Sequence, residues 1–236
     1  MAGSMSRQQW GKIEGLRVEG TSDTAVVLFH GYGASAEDLF PLSQINGLAP
    51  GAHWFFPNGV LEIPIGPGMS GRAWFALDMS AIERAMMTGT FLDYSDKDPE
   101  VLATLNADLA PLFDLLKTQF KKVFIGGFSQ GGMVAINAVL SQSWTPHGLI
   151  ALSTSLLAKQ RWDKLLENHK SLRVFQAHGL QDAVLHPQGA ENLAALWSAH
   201  EIEATFHRFQ GGHEIPPGVL LNLSKFIQGE PTIVDN

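Results

Sequence analysis

The chain has 236 residues, of which 45% are hydrophobic and 17% charged, which is enough for one α/β domain with a core of its own. It contains no cysteine, which excludes disulfides, thiolate metal sites and a cysteine nucleophile and predicts a cytoplasmic protein. A formal net charge of −7 without a Lys/Arg cluster predicts no nucleic-acid partner, and no apolar run reaches the roughly 18 residues of a membrane span.

Strands and helices alternate along the chain. Short runs that are apolar at nearly every position predict strands buried on both faces, and an alternating stretch near the C-terminus predicts a last strand. Apolar residues at helical spacing predict the helices between them. The order predicts one doubly wound α/β domain over residues 1–236. The predicted strands are residues 25–29, 122–126, 148–152, 172–177 and 204–209, and the predicted helices are residues 98–120, 131–140, 187–200 and 217–227.

Two segments stand outside this alternation. Residues 1–4, ahead of Met5, are consistent with a short appended sequence and receive no function. Residues 57–98 contain three prolines and five glycines together with many large apolar residues, too many for a solvated linker. Because long irregular segments in compact domains are usually functional, residues 57–98 are predicted to form an irregular substrate loop.

Residues 127–131 read Gly-Phe-Ser-Gln-Gly and match G-x-S-x-G. The motif stands after the predicted strand 122–126 and before the predicted helix 131–140, as a nucleophile elbow requires. There a serine takes a strained backbone conformation that pushes its hydroxyl above the sheet, next to a helix N-terminus that favours negative charge. Ser129 is therefore the predicted nucleophile.

A serine nucleophile needs a base and a carboxylate that orients the base. In α/β sheets that carry a nucleophile elbow, the acid follows the serine in the sequence and the histidine follows the acid. Asp182 and His213 follow predicted strands in that order. His186 is an alternative base close to Asp182, although its place at a helix entrance fits a capping role. Further candidates with structural explanations are His30, His178, His207, Glu191 and Glu203.

The turn at residues 30–33 follows the first predicted strand. In a serine hydrolase this turn supplies one backbone N–H of the oxyanion hole, and the residue after the nucleophile supplies the other. These would be the amides of Tyr32 and Gln130. Such donors commonly lower the barrier by a few kcal/mol each.

Two cofactor patterns are incomplete. Residues 31–36 also fit the dinucleotide pattern G-x-G-x-x-A, which expects an acidic residue about 20 positions further on. Residues 52–58 contain no acid. Residues 213–217 begin like the zinc motif H-E-x-x-H but continue with two prolines, which excludes its helix and its second histidine. The sequence predicts neither a cofactor nor a metal.

Several motifs together resemble the phospholipase/carboxylesterase family, which includes acyl-protein thioesterases and small bacterial carboxylesterases. The resemblance runs from about residue 24 to residue 227. It implies an α/β-hydrolase fold without a large cap domain, no cofactor, and action on carboxylic or thiol esters of acyl chains. The motifs are Leu-Phe-His-Gly-Tyr-Gly at 28–33, Pro-Asn-Gly at 57–59, Arg-Ala-Trp-Phe at 72–75, Gly-Gly-Phe-Ser-Gln-Gly-Gly at 126–132 and Gly-His-Glu at 212–214.

The resemblance also implies roles for individual residues. It assigns Ser129, Asp182 and His213 as the catalytic triad and the amides of Tyr32 and Gln130 as the oxyanion hole. It suggests a short hairpin and loop that line an acyl groove, although these residues would alternatively cover the sheet edge. The predicted acyl-binding residues are Ile63, Ile65, Met69, Trp74, Phe75, Leu156 and Val184.

This sequence departs from the family pattern around that groove. Ala76 stands where the family usually has an aspartate. After the acid the family tends to have two apolar residues and then proline, whereas here His186 intervenes before Pro187, and residues 153–156 lack the aromatic residue that the family often has there. Chain-length preference and protein-thioesterase activity are therefore not carried over. The predicted function is a serine carboxylesterase that acts on small to medium acyl chains through an acyl-serine. The alternatives are an acyl-protein thioesterase, a lysophospholipase and a non-catalytic acyl-binding module. The predicted partner is a small or lipid-like ester, and the predicted state is a monomer or a weak homodimer.

Overall fold

A computed structural model describes residues 4–231 of the chain. Eight strands form one sheet in the order β1-β2-β4-β3-β7-β8-β9-β10. β1 and β2 pair antiparallel, as do β2 and β4, and the other neighbours are parallel. The strands are β1 Met5–Trp10, β2 Ile13–Val18, β3 Thr24–Phe29, β4 His53–Pro57, β5 Leu61–Gly66, β6 Met69–Ala73, β7 Lys122–Phe128, β8 Gly148–Leu152, β9 Arg173–Gly179 and β10 Glu203–Phe209, with β5 and β6 forming a separate hairpin.

The described part of the chain has seven α-helices, six between strands and one after the last strand. The four predicted helices are confirmed, but the longest begins at Val101 instead of residue 98, because Asp98 pairs with Arg161 at 2.6 Å instead of capping the helix. A 3₁₀ helix follows the first α-helix. The helices are α1 Ala36–Leu39, α2 Met79–Thr88, α3 Val101–Gln119, α4 Gln130–Leu140, α5 Lys159–Leu166, α6 Pro187–Ala199 and α7 Pro217–Gln228, and the 3₁₀ helix is Phe40–Gln44.

The sheet has a hydrophobic core on each face. Val27 and Phe29 of β3 belong to one buried cluster and Val26 and Leu28 to the other, because alternate residues of a strand point to opposite faces. α3, α4, α5 and α6 pack into the first cluster, and α1 and α7 pack into the second. This arrangement confirms the predicted mostly parallel sheet flanked by helices.

The five predicted strands are confirmed, while β1, β2 and β4 were not predicted. Five of the six residues of β1 are not buried, so this edge strand carries no apolar run. β4 is different, because four of its five residues are buried. Its apolar run indicates a buried strand in the sequence, so β4 was predictable.

Residues 57–98 contain the helix α2 and the short hairpin β5-β6, which the resemblance implies. They are more regular than their composition predicts, which corrects the expectation of an irregular loop. The hairpin β5-β6 turns at Pro67 and Gly68, and Gly68 takes the positive φ of 70° that such a turn requires. The side chain of Asp78 accepts a hydrogen bond from the amide of Ala81 and caps α2 at its start, and Gly89 follows its last residue in a left-handed conformation.

No large cap domain covers the sheet within residues 4–231. In the same part of the chain, no helix has the length and apolar character to cross a membrane. The suggestion that residues 1–4 are an appended sequence falls almost entirely on residues 1–3, which lie outside the described residues.

Candidate active site

Ser129 occupies the sharp turn between β7 and α4. Its φ of 56° and ψ of −123° lie in a region that a non-glycine residue rarely adopts. Two hydrogen bonds hold its backbone there: the Ser129 amide donates to the carbonyl of Leu152 at 2.9 Å, and the Thr154 hydroxyl donates to the Ser129 carbonyl at 2.8 Å. Strain of this kind persists where the surroundings over-determine it.

The glycines on either side of the serine are required by close packing. A Cβ atom on Gly127 would lie 2.7 Å from the carbonyl oxygen of Phe29, and one on Gly131 would collide with the same carbonyl. The turn therefore packs directly against the end of β3, which brings Ser129 next to the turn at residues 30–33.

Asp182 and His213 are joined by a short hydrogen bond. The His213 Nδ1 atom lies 2.7 Å from the Asp182 Oδ2 atom, and the Asp182 side chain is fully buried. The other carboxylate oxygen accepts from the amides of Val184 and Leu185 at 2.9 Å each. With a carboxylate as its partner, Nδ1 carries the proton and Nε2 of His213 is left as the acceptor.

A second histidine reaches the same carboxylate. His178, a candidate base by its sequence position, lies buried with Nε2 2.8 Å from the carbonyl of Leu185 and 3.3 Å from Asp182 Oδ2. Burial lowers the pKa of His178, so the ring is neutral and acts as an N–H donor to these oxygens.

The remaining candidate acids and bases have partners of their own. The ring of His186 accepts from the amide of Gln188 at 3.1 Å and so caps α6, as its position in the sequence predicts. Glu191 makes two hydrogen bonds of 2.7 Å with Arg208. Glu203 accepts a hydrogen bond from Arg173 at 3.2 Å, and the ring centroid of His207 lies 5.0 Å from that of Phe175, with the two rings tilted by 33°.

The turn at residues 30–33 passes beside the nucleophile. A Cβ atom on Gly31 would lie 3.3 Å from the Cβ atom of Ser129. The hairpin holds the end of this turn, because the amide of Gly33 donates to the carbonyl of Arg72 and the amide of Arg72 donates to the carbonyl of Ala34, both at 2.8 Å. Two backbone hydrogen bonds therefore connect the hairpin to the turn that carries the Tyr32 amide.

The ring of His30 holds the same turn through two hydrogen bonds. Its Nε2 accepts from the amide of Gly59 at 2.9 Å, which leaves Nδ1 to donate to the carbonyl of Gly31 at 2.7 Å. Burial lowers the pKa of His30 and keeps the ring neutral. Trp74 donates its indole N–H to the His30 carbonyl at 2.8 Å.

Gln130 connects these pieces through its side chain. Its Oε1 accepts from the amide of Trp74 at 3.0 Å, and its Nε2 donates to the carbonyl of Phe75 at 2.7 Å. Gln130 is 1% exposed. Its side chain thus fixes residues 74–75 to the first turn of α4, where its own amide is the second predicted oxyanion donor.

Ser129 opens into a cavity of about 190 Å³, here named the serine cavity. His213, Tyr32 and Gln130 line it as well, so residues from three separate turns meet there. Burial raises the pKa of Tyr94, with a further contribution from the charge of Asp78, and keeps its phenol protonated. The apolar part of the lining includes Leu77, Met79, Ile82, Tyr94, Met133 and Val184.

Val184 is the one predicted acyl-binding residue that lines the serine cavity. Trp74 and Phe75 are 0% and 3% exposed and belong to the core, although Phe75 also borders a neighbouring cavity. Leu156 borders a third cavity of about 400 Å³, beside α5 and α6. Ile63, Ile65 and Met69 lie on the hairpin and do not line the serine cavity.

Several cavity residues were not predicted from the sequence. Phe128 and Leu185 line the cavity next to Ser129 and Asp182, and the Phe128 ring centroid lies 4.7 Å from that of His213. Their position beside the catalytic motifs was a usable signal. Met133, four residues after Ser129 in α4, has the same signal. Tyr94 carries none, because it lies in the connection between α2 and α3 and only the tertiary fold brings it to the site. Among residues 4–231, no three His, Cys, Asp or Glu side chains are grouped to hold a metal ion.

Residues 16–230 match the family described as Phospholipase/Carboxylesterase. Acyl-protein thioesterase 1 of Mycosarcoma maydis is 26% identical over 221 residues, which cover 89% of this chain and 92% of that protein. The crystal structure of esterase PE8 is similar with a TM-score of 0.74 and 26% identity, over 92% of this chain and 99% of that one.

A more distant structure has the same fold. The crystal structure of Zea mays acyl-protein thioesterase 2 gives a TM-score of 0.68 at 18% identity, over 96% of this chain and 98% of that one. The family match over residues 16–230 includes all the turns that hold Ser129, Asp182 and His213.

Proposed function

The chain belongs to the phospholipase/carboxylesterase family of ester hydrolases, and on that basis we propose that it is a serine carboxylesterase for small to medium acyl chains. One observation carries this proposal. Ser129, strained at a positive φ, shares a cavity with His213, which is hydrogen-bonded to a buried Asp182. A nucleophile, a base and an acid that orients the base are the parts that acyl transfer needs.

The first half of the reaction forms an acyl-serine. The Ser129 hydroxyl attacks the ester carbonyl while Nε2 of His213 takes its proton, and Asp182 stabilises the imidazolium without becoming protonated. The carbonyl oxygen gains charge between the amides of Tyr32 and Gln130. When the tetrahedral intermediate collapses, His213 gives the proton to the leaving alcohol or thiol.

The second half releases the acid. Water enters the serine cavity, His213 takes a proton from it, and the resulting hydroxide attacks the acyl-serine through a second tetrahedral intermediate. Collapse frees the carboxylic acid and returns the proton to Ser129. Because histidine takes up a proton in mild acid and then no longer serves as a base, the rate is expected to fall as the pH is lowered.

A protein or peptide thioester is the second candidate substrate. It is favoured by the 26% identity to a protein named acyl-protein thioesterase 1. A thioester and an oxygen ester of the same acyl group, compared under the same conditions, separate the two functions. An S-acylated peptide then tests protein thioesterase activity directly, and a lysophospholipid tests lysophospholipase activity.

Hydrolysis of p-nitrophenyl butyrate by the purified full chain tests the proposal. Ser129→Ala is expected to lower kcat by about 10⁴-fold or more. Ser141→Ala is the matched control, since Ser141 lies at the opposite end of α4 and donates its hydroxyl to the Asn137 carbonyl. A fluorophosphonate should label Ser129 in the wild type, as read by peptide mass.

Equal hydrolysis by the wild type and by Ser129→Ala would contradict the proposal. A wild type that hydrolyses no ester above the uncatalysed rate would leave the non-catalytic acyl-binding module. The predicted cytoplasmic location and the predicted monomer or weak dimer stay predictions. Cell fractionation tests the first, and sedimentation of the purified protein tests the second.

A further inference from the structure

A second cavity lies directly behind the serine cavity. It has a volume of about 290 Å³ and is here named the rear cavity. Leu77 and Tyr94 line both cavities, and both side chains are half-buried. Because these two residues line both spaces, they lie between the two cavities and are here named the partition.

The serine cavity has room for a short acyl chain. An engineered apolar cavity of about 150 Å³ binds benzene, so one of about 190 Å³ holds roughly six to eight carbon atoms. One end of the chain is fixed, because the ester carbonyl has to lie beside Ser129 and the two amides. A longer chain therefore reaches Leu77 and Tyr94 with its far end.

We propose that Leu77 and Tyr94 set the upper limit of acyl chain length, and that the rear cavity accepts the end of a longer chain once this partition is opened. The inference rests on the proposed esterase function. A hydrocarbon is the chemistry that fits the rear cavity, because Phe75, Leu92 and Leu157 line it.

One sequence feature strengthens this assignment. Ala76, which stands where the resemblance expects an aspartate, lines the rear cavity. The charged residues of that cavity, Asp78, Asp93 and Lys97, are exposed. Their heads can therefore stay in water while a hydrocarbon tail lies on the apolar part of the wall.

The ratio of kcat/KM for p-nitrophenyl dodecanoate to that for p-nitrophenyl butyrate tests the partition. The wild type is expected to use butyrate and octanoate esters well and dodecanoate poorly. Each buried methylene is worth about fourfold in binding, and dodecanoate extends octanoate by four methylenes. Tyr94→Ala is therefore expected to raise the ratio by at least about tenfold. Leu77→Ala is the second variant and should raise it in the same direction if Tyr94→Ala does not fold.

Leu165→Ala is the matched control. It removes a half-buried leucine side chain that packs against the core, but Leu165 lines neither the serine cavity nor the rear cavity. Its ratio should equal that of the wild type.

The possible outcomes separate the two proposals. An unchanged ratio in Tyr94→Ala and Leu77→Ala, with Ser129-dependent butyrate hydrolysis intact, would overturn the partition and leave the esterase function standing. A wild type that uses dodecanoate as well as octanoate would do the same. No Ser129-dependent hydrolysis of any ester would remove both proposals.

Discussion

Gly71→Ala is expected to damage catalysis from a position outside the serine cavity. Gly71 lies on β6, where the hairpin bonds the turn that carries the Tyr32 amide. A Cβ atom on Gly71 would lie 2.6 Å from the carbonyl carbon of Gly33 and closer still to its oxygen. Both neighbours are backbone atoms, so a rotamer change of a side chain cannot relieve the collision.

The magnitude follows from the displacement. Ordinary contact begins near 3.4 Å, so the two backbones have to separate by roughly 1 Å, a displacement that commonly costs about 10²-fold in rate. Loss of one oxyanion donor gives a similar figure of about 10²- to 10³-fold in kcat. We therefore expect kcat for p-nitrophenyl butyrate to fall by about 10²-fold with KM changed far less.

Gly66→Ala is the control on the same hairpin. Its Cβ atom would lie 3.1 Å from the terminal methyl of Met69, a flexible group that can move away. Thermal unfolding should show both variants folded at the assay temperature, with Gly71→Ala less stable. A folded Gly71→Ala enzyme with wild-type kcat would refute the view that the hairpin positions the oxyanion turn.

Three further predictions follow from the buried hydrogen bonds. Asp182→Asn should lower kcat by about 10⁴-fold with an unchanged circular dichroism spectrum, because an amide no longer holds His213 in the required tautomer; a loss below about tenfold would contradict its role. Trp74→Phe removes the indole bond to His30 and should lower the free energy of unfolding in urea by about 1–3 kcal/mol without changing the ratio of octanoate to butyrate hydrolysis; the reverse result would return Trp74 to the acyl-binding surface. Burial lowers the pKa of His30 and His178 below the ordinary value of 6.5, so below that pH the unfolded chain binds more protons than the native one and the free energy of unfolding should fall between about pH 7.5 and about pH 5.5; a constant or rising value would contradict this.

The sequence predicts correctly those strands whose residues are buried on both faces of the sheet. Strands such as β8 are buried on both faces, and their composition states this without ambiguity. β1 was not predicted, because an edge strand with exposed side chains has the composition of a loop. α2 was not predicted, because the prolines and glycines nearby indicated an irregular segment and the capping residues Asp78 and Gly89 were not recognised.

The candidate site divides in the same way. Ser129, Asp182 and His213 follow strand ends, and strand order alone brings such positions to one edge of the sheet. The acyl-binding residues depend on how loops fold back, which composition does not encode. The resemblance implies that Trp74 lines the acyl groove, whereas its indole N–H donates to the His30 carbonyl deep inside the protein.

The partition residues and the nucleophile elbow lie on separate pieces of chain, and this has an evolutionary consequence. The elbow is defined by backbone collisions at Gly127 and Gly131, which tolerate almost no change. The cavity wall at Leu77 and Tyr94 comes from a connecting segment that contributes no strand to the main sheet. We therefore expect single substitutions in that segment to change the substrate range without disturbing the elbow that holds Ser129.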